Sequence, residues 1–145
     1  MKIKKITSVA ALVITLTGCA SGLNSIQKRE YESLKQNNVL IEEKNLSNGI
    51  VLGLLPGGGS FYAREPGFGV VNLLCWPLSI LWDPVSGYEG SMAINYHVTK
   101  HKLSQDEKKE LSALEDKLLA GEINSKQYLS AKRAVARKYD YESSY

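Results

Sequence analysis

The 145-residue sequence predicts a mainly α-helical protein with a short N-terminal helix, an apolar helical hairpin broken by glycine and proline, and a C-terminal pair of helices. Near both ends, apolar residues recur three and four positions apart among charged ones, which is the spacing of one helix face. The uncharged central runs lack the alternation of apolar and polar residues that half-exposed strands show. Only residues 88–100 indicate a short strand.

Residues 1–18 show the three zones of a secretory signal peptide. Three lysines among the first five residues precede an uncharged apolar run over residues 6–16, and two small residues follow. The run is shorter than the stretch of about 20 apolar residues that a helix needs to cross a bilayer. We therefore expect residues 1–18 to be removed rather than kept as a membrane anchor.

The tetrapeptide Leu16-Thr17-Gly18-Cys19 resembles the lipobox of bacterial lipoproteins. The resemblance implies that acyl chains such as palmitate are attached to the Cys19 thiol and that a signal peptidase cuts before it. Each buried CH₂ contributes about 0.8 kcal/mol, so more than one chain gives stable anchoring. Ala20 rather than an aspartate follows the cysteine, which in enteric-type sorting implies the outer membrane facing the periplasm; the inner membrane is the alternative.

Charge and cysteine content restrict the partners of the mature chain. Removing residues 1–18 takes away three of the 18 basic residues, so 18 − 3 = 15 remain against 15 acidic ones. A nearly neutral chain gives no support for nucleic-acid binding. Once Cys19 carries lipid, only Cys75 is left, so no disulfide forms within the chain, and its apolar neighbours predict a buried thiol.

The N-terminal part of the mature chain predicts one helix. Asn24 or Ser25 can cap it, and an incomplete apolar stripe continues to Gln36. Two interpretations stay open, a solvated stalk and a helix packed on the domain. Composition then divides the whole chain into a removed leader (1–18), a lipid-anchored stalk or helix (19–44), a Gly-rich apolar region (45–102), a helical hairpin (103–138) and a tail (139–145).

The first apolar run of the centre contains glycines at a helical spacing. Gly49, Gly53 and Gly57 stand four residues apart, so on a helix they form one smooth stripe along which another helix or a membrane can pack. Pro56 limits that helix, because its ring removes a backbone donor and clashes with the preceding turn. We expect the regular part to end near Leu55.

The second apolar run covers residues 67–82 and is interrupted by Pro77. Trp76 and Trp82 favour an interface between apolar and wet surroundings. Residues 83–87, with their proline and glycine, predict a turn after the run. The two runs indicate either a hairpin lying in or against a membrane or the buried core of a small domain or oligomer.

The same region loosely resembles the two-helix hydrophobic hairpins of TM2-type membrane proteins. The residues that carry the resemblance are Leu55-Pro56-Gly57-Gly58-Gly59-Ser60-Phe61-Tyr62, Gly67, Gly69, Asn72-Leu73-Leu74 and Trp76-Pro77-Leu78. The resemblance implies a hairpin associated with a membrane. Pro56, Pro77 and the shortness of both runs depart from the family pattern and argue against full crossing.

Residues 88–100 end in a short alternating stretch. Ile94, Tyr96 and Val98 alternate with polar residues, which predicts a strand. His97 and His101 are spaced to face one metal ion only if this stretch is helical, and no third ligand has a telling spacing. We therefore assign no metal site here.

The C-terminal part predicts two antiparallel helices. Ser104 and Glu107 have the spacing of a capping box, so the first helix is expected from Gln105 to about Leu119. Asn124 or Ser125 begins the second, which continues to about Arg137. The residues expected to form the contact face and the turn are Leu111, Leu114, Leu118, Gly121, Ile123 and Tyr128.

This pattern resembles the short C-terminal helical hairpin called SHOCT, with Tyr128 in place of its usual phenylalanine. The resemblance implies oligomerisation or docking to a partner. A generic amphipathic hairpin that caps the domain is the alternative, and in either case so small a hairpin must pack on something.

No arrangement of residues typical of an enzyme is present. Ser60 and Ser91 lack the context of a nucleophile elbow, and residues 57–59 lack the lysine of a phosphate loop. The sequence thus favours a non-catalytic envelope lipoprotein without a cofactor, bound to membrane lipid through acylated Cys19 and associating with itself or another envelope protein. The alternative is a lipid-tethered periplasmic domain that uses its apolar centre as a ligand pocket.

Overall fold

The computed structural model describes residues 22–141. The leader, the lipobox at Leu16, Thr17, Gly18 and Cys19, and the last four residues of the tail lie outside this range. The described residues form α1 (Ser25–Gln36), α2 (Leu46–Leu52), α3 (Gly58–Tyr62), α4 (Pro66–Leu74), a 3₁₀ helix (Leu78–Leu81), α5 (Asp83–Leu119) and α6 (Ser125–Tyr139). The mainly α fold with a C-terminal helix pair is confirmed, and this part of the chain contains no strand.

Three local predictions were wrong, and all three fall within the long helix α5. The turn at residues 83–87, the strand around Ile94–Thr99 and the helix start at Ser104 are all helical. Asp83 and Pro84 begin the helix, because proline is tolerated in a first turn, where its missing donor has no partner in any case.

The strand was mispredicted because the buried face of this part of α5 is partly polar. The buried residues Met92, Asn95, Tyr96 and Thr99 follow the helical spacing. Thr99 Oγ1 donates to the Asn95 carbonyl oxygen at 2.7 Å and accepts from the Ile41 amide at 2.9 Å. Polar side chains satisfied in this way occupy positions that hydropathy assigns to the surface.

The described chain divides into two compact units. The first comprises residues 22–23 and 44–94, and the second comprises residues 24–43 and 95–141; the division falls inside α5.

In the second unit, α1 is a packed helix. Asn24 caps it in a capping box with Gln27, and Tyr31 and Leu34 are buried. Glu30 accepts a hydrogen bond from the Tyr96 hydroxyl, and Lys100 Nζ lies 3.3 Å from the same carboxylate. Of the two interpretations that the sequence left open, a packed helix is therefore the one observed for the described part of the segment.

The C-terminal helices of the second unit form an antiparallel pair. Gly121, at φ 74°, ends α5 in a Schellman arrangement, in which the Glu122 amide bonds to the Lys117 carbonyl. Asn124 then caps α6. Glu110 of α5 accepts from Lys138 and Tyr139 of α6. The hydrogen bond from Lys138 lowers the pKa of Glu110 below its usual value, and the bond from Tyr139 acts in the same direction.

In the first unit, glycines bring helix backbones into contact. A methyl group on Gly49 of α2 would overlap the Gly87 carbonyl of α5, and one on Gly87 would overlap the Gly49 carbonyl. Gly53, which ends α2, faces the backbone of Pro84 in the same way. The absence of side chains at these positions therefore sets the distance between α2 and the start of α5.

We expect Gly87→Ala to lower the free energy of unfolding by about 1–3 kcal/mol, because the added methyl group has no space between the two backbones. Gly67→Ala in α4 is the matched control, since apart from its chain neighbours and the backbone of its own helix no atom lies within 4 Å of the position that its Cβ would take. That control should be neutral or stabilising by about 0.5 kcal/mol through helix propensity. Urea denaturation followed by circular dichroism measures both variants, and equal effects would contradict the observed backbone contact.

Candidate functional site

A buried carboxylate connects the helices of the first unit. Asp83, the first residue of α5, has no exposed surface. Its oxygens accept hydrogen bonds from the Gly59 amide at 3.0 Å, the Ser60 amide at 3.1 Å and the Ser60 hydroxyl at 2.6 Å. The Asn72 side-chain amide adds a fourth at 2.7 Å. One side chain of α5 thus holds the first turn of α3 and the last turn of α4.

Asn72 extends this network to the surface of the unit. Its amide nitrogen also donates to Ser60 Oγ at 2.9 Å, and its carbonyl oxygen accepts from Trp82 Nε1 at 2.9 Å. The polar atom of the Trp82 indole is therefore satisfied within the protein, while the residue is 44% exposed. Ser60 is buried, and its hydroxyl donates to the Asp83 carboxylate, so within this network the serine connects α3 to α5.

The interior of the first unit is made mostly of small and polar side chains, with Leu23 and Met92 as its large apolar members. Its buried positions are Gly49, Gly53, Gly57, Gly59, Ser60, Ala63, Gly69, Asn72, Ser79, Asp83, Gly87, Gly90, Ser91, Met92 and Ala93, together with Leu23. Large apolar side chains of the same unit are exposed instead, among them Val51, Leu54, Leu55, Val70 and Val85. This distribution reverses the usual one, in which large apolar residues fill the core.

Among residues 22–141, the longest exposed apolar stretch runs from the end of α4 to the start of α5. Residues 73–78 are all exposed, and Leu81 and Trp82 continue the surface after the buried Ser79 and the half-buried Ile80. Leu74, Leu78 and Leu81 are 80%, 64% and 78% exposed. Side chains three apart eclipse each other in a 3₁₀ helix, so Leu78 and Leu81 share a face. We call this surface the apolar edge, and it consists of Leu73, Leu74, Cys75, Trp76, Pro77, Leu78, Leu81 and Trp82.

The predicted packing residues lie at different places in the first unit. Trp76 and Trp82 are part of the apolar edge. Gly49 and Gly53 face the backbone of α5, as described above. Gly57 lies outside α2, because that helix ends at Leu52 with Gly53 as its capping residue, and Gly57, at a φ of 71°, precedes α3 instead. The stripe of three glycines on one helix is therefore reduced to two positions.

Cys75 is exposed, so the prediction of a buried thiol was wrong. The residue follows α4 as its C-terminal cap, where the chain turns at the surface before the 3₁₀ helix. An apolar neighbourhood along the chain did not imply burial, because the neighbours themselves are exposed.

The predicted docking residues of the C-terminal part lie in the antiparallel pair. The half-buried members are Leu111, Leu114, Leu118, Ile123 and Tyr128, whereas Gly121 is exposed in the turn. The Tyr128 hydroxyl lies 3.5 Å from a Glu115 carboxylate oxygen, which connects the two helices.

The two histidines lie on the helical face that their spacing requires for a shared ion. His97 makes an edge-on ring contact with Tyr96 at 5.1 Å, and His101 Nε2 lies 2.9 Å from Gln105 Nε2. Within residues 22–141, no three side chains of the metal-binding types are grouped closely enough to hold an ion.

None of the helices in residues 22–141 combines the length and the apolar character needed to span a membrane. Comparison of the chain with protein families, with curated proteins and with solved structures found no match in any of the three cases.

Two buried serines provide a matched test of the Asp83 network. Ser60→Ala removes a donor to a buried carboxylate, and we expect the free energy of unfolding to fall by about 1.5–3 kcal/mol. The Ser79 hydroxyl is buried and makes no hydrogen bond with the described residues, so Ser79→Ala should be neutral or stabilising by about 1 kcal/mol. Urea midpoints of both variants give the comparison, and a loss at Ser79 as large as that at Ser60 would contradict it.

Proposed function

We propose that this chain is a bacterial envelope lipoprotein with a structural or interaction role and no catalytic activity. Acyl chains on Cys19 hold it at a membrane, the outer membrane facing the periplasm being favoured over the inner one. The C-terminal helix pair mediates self-association or docking to an envelope protein. The observation that carries the proposal is the Leu16-Thr17-Gly18-Cys19 motif placed just before a unit with a large exposed apolar surface.

The position of Gly22 supports this use of the anchor. A Cβ at Gly22 would overlap the Glu89 carboxylate of α5, so the chain enters the first unit beside that helix. Cys19 precedes Gly22 by three residues, which span at most about 10 Å. Lipid on Cys19 would therefore hold the first unit, rather than a distant domain, close to the membrane.

The distribution of apolar side chains favours a contact surface over a ligand pocket. If the apolar central region formed a ligand pocket, the large side chains of that region would line the pocket. Leu74 and Leu81 instead point into solvent. The interior of the first unit is occupied by the hydrogen-bond network of Asp83 and by the glycine contacts. The first unit therefore presents its apolar residues to something outside itself.

One observation favours the alternative, a lipid-tethered domain that binds a small ligand. Ile50, Pro84, Val85 and Tyr88 line an apolar groove of about 310 Å³ at the surface of the first unit. That volume lies at the lower end of the range typical of ligand sites. A soluble apolar ligand that binds this groove, and is lost in Val85→Glu, would support the alternative.

The C-terminal pair supports docking because its contact residues are only half-buried. Leu111, Leu114 and Leu118 leave part of their apolar surface open in the single chain. Burial of that remainder against a second copy or a partner would add about 25 cal/mol per Å².

The anchor is tested by comparing the two cysteines of the chain. We expect the mature wild-type protein to begin at Cys19 with the added mass of acyl chains and to sediment with membranes. Cys19→Ser should leave residues 1–18 uncut and add no lipid, because the acylated thiol is gone. Cys75→Ser is the control and should be processed like the wild type.

Mass spectrometry of the purified proteins and fractionation of host membranes give the readout. A wild-type protein that retains residues 1–18, or begins elsewhere with an unmodified Cys19, would contradict the proposed anchor.

Docking through the C-terminal pair is tested by truncation. A chain ending after Gly121 keeps α5 whole and loses α6, and we expect it to lose the cross-linked species that the intact protein forms in its host. A chain ending after Tyr141 keeps every described residue and serves as the control. The same cross-linking pattern for all three chains would contradict a role of α6 in association.

A further inference from the structure

The apolar edge differs from an ordinary protein surface in both charge and continuity. Residues 66–82 contain no charged side chain. Asp83, which follows them, is buried in its hydrogen-bond network. No charge of this segment therefore interrupts the surface formed by Leu73–Leu78, Leu81 and Trp82. Soluble surfaces rarely leave so large an apolar area without a partner.

We propose that the apolar edge is itself a membrane contact, inserted from one side into the headgroup and outer acyl region of a lipid bilayer. This inference rests on the proposed lipoprotein function, in which Cys19 already brings the first unit to a membrane. It adds a second point of attachment that belongs to the folded protein rather than to the lipid.

The composition of the first unit fits a lipid surface. Small residues such as Gly49 and Gly87 form the contacts between helices, while large apolar residues face outward, as in helices that pack within lipid. In water this arrangement is unfavourable, because burying large apolar side chains away from water lowers the free energy of the protein. The arrangement becomes favourable where the outer surface meets acyl chains.

The tryptophans fit the depth of such a contact. Trp76 and Trp82 are both half-exposed within the edge, and tryptophan concentrates at the boundary between headgroups and acyl chains. The Trp82 Nε1 donates to Asn72 inside the unit, so the ring can enter an apolar medium without leaving its polar atom unbonded.

The lengths of the elements suit partial insertion. At about 1.5 Å per residue α4 is roughly 14 Å long, and at about 2 Å per residue the 3₁₀ helix is roughly 8 Å long. Peripheral elements bury their apolar face about 5–10 Å into the interface. Leu74 and Leu78, on either side of the turn between the two elements, can therefore enter the membrane together.

The anchor and the edge can reach the same membrane. Asp83 directly follows the edge, and Glu89, beside Gly22, lies six residues further along α5, a rise of about 9 Å. Cys19 lies within about 10 Å of Gly22 along the chain. Attachment at Cys19 thus raises the effective concentration of lipid at the edge.

The chain carries its own probes for a direct test. In the full mature chain with Cys19→Ala, Cys75 is the only cysteine, and the chain has two tryptophans, both in the edge. The protein, labelled at Cys75 with an environment-sensitive maleimide dye, is titrated with vesicles of phosphatidylethanolamine and phosphatidylglycerol. We expect the emission of the dye and of the unlabelled protein's tryptophans to shift to the blue, and brominated acyl chains to quench the tryptophans.

Two double variants test whether vesicle binding depends on the apolar edge in particular or on exposed leucines in general. Leu74→Gln with Leu81→Gln removes two leucines of the edge and should lower the vesicle partition coefficient by at least about tenfold. Leu119→Gln with Leu129→Gln removes two exposed leucines of the second unit and should change it by less than about twofold. Circular dichroism confirms that both variants keep the helical content of the parent.

Several outcomes would overturn the proposal. One is the absence of any emission shift at millimolar lipid, and another is an equal loss of partitioning in both double variants. A third is a blue shift that appears on raising the protein concentration without lipid, together with dimers in sedimentation, because a second copy would then cover the edge. Since Cys19 carries no lipid in this assay, the result is independent of the anchor: a chain that is acylated in its host but does not bind vesicles refutes only the edge.

Discussion

The first unit depends on the burial of the Asp83 carboxylate. Moving such a group out of water is unfavourable unless its oxygens are bonded, and here four hydrogen bonds satisfy them. The donors belong to α3 and α4, and the acceptor begins α5, so the three helices fix one another. Asn72 carries the same constraint to Trp82 and thereby orients part of the apolar edge. The helices that carry the exposed leucines are held together by these polar hydrogen bonds and by backbone contacts at glycines.

The hydrogen bonds of Asp83 and the glycine contacts together explain how the first unit buries few large side chains and still exposes many large apolar ones. In a water-soluble core, leucine and valine supply both volume and free energy. Here glycines such as Gly49 and Gly87 let backbones touch, which leaves little interior volume for such residues to fill. The large apolar side chains are consequently available for a contact with another phase or another molecule. The second unit has a more ordinary construction, with Tyr31 and Leu34 of α1 buried.

The sequence predicts correctly those helix ends whose determinants are local. The start of α1 at Asn24, the stop of α5 at Gly121 and the start of α6 at Asn124 follow from capping groups within a few residues of each terminus. The prediction failed around Asp83 and Thr99, where polar residues are buried against partners 11 to 58 positions away. The exposure of residues 73–78 could not be predicted either, because the sequence of an apolar run does not show whether the run lies inside a fold or on its surface.

Under the proposed export, the sequence separation of the Asp83 hydrogen bonds bears on how the chain folds. A polypeptide that leaves the translocation channel N-terminus first delivers the donors at Gly59, Ser60 and Asn72 before their acceptor. Between 11 and 24 residues separate each donor from Asp83, so Asp83 emerges soon after the donors do. The loops that must close are correspondingly small. The network can form while most of α5 is still in transit, and assembly of this part of the protein then requires no distant segment of the chain.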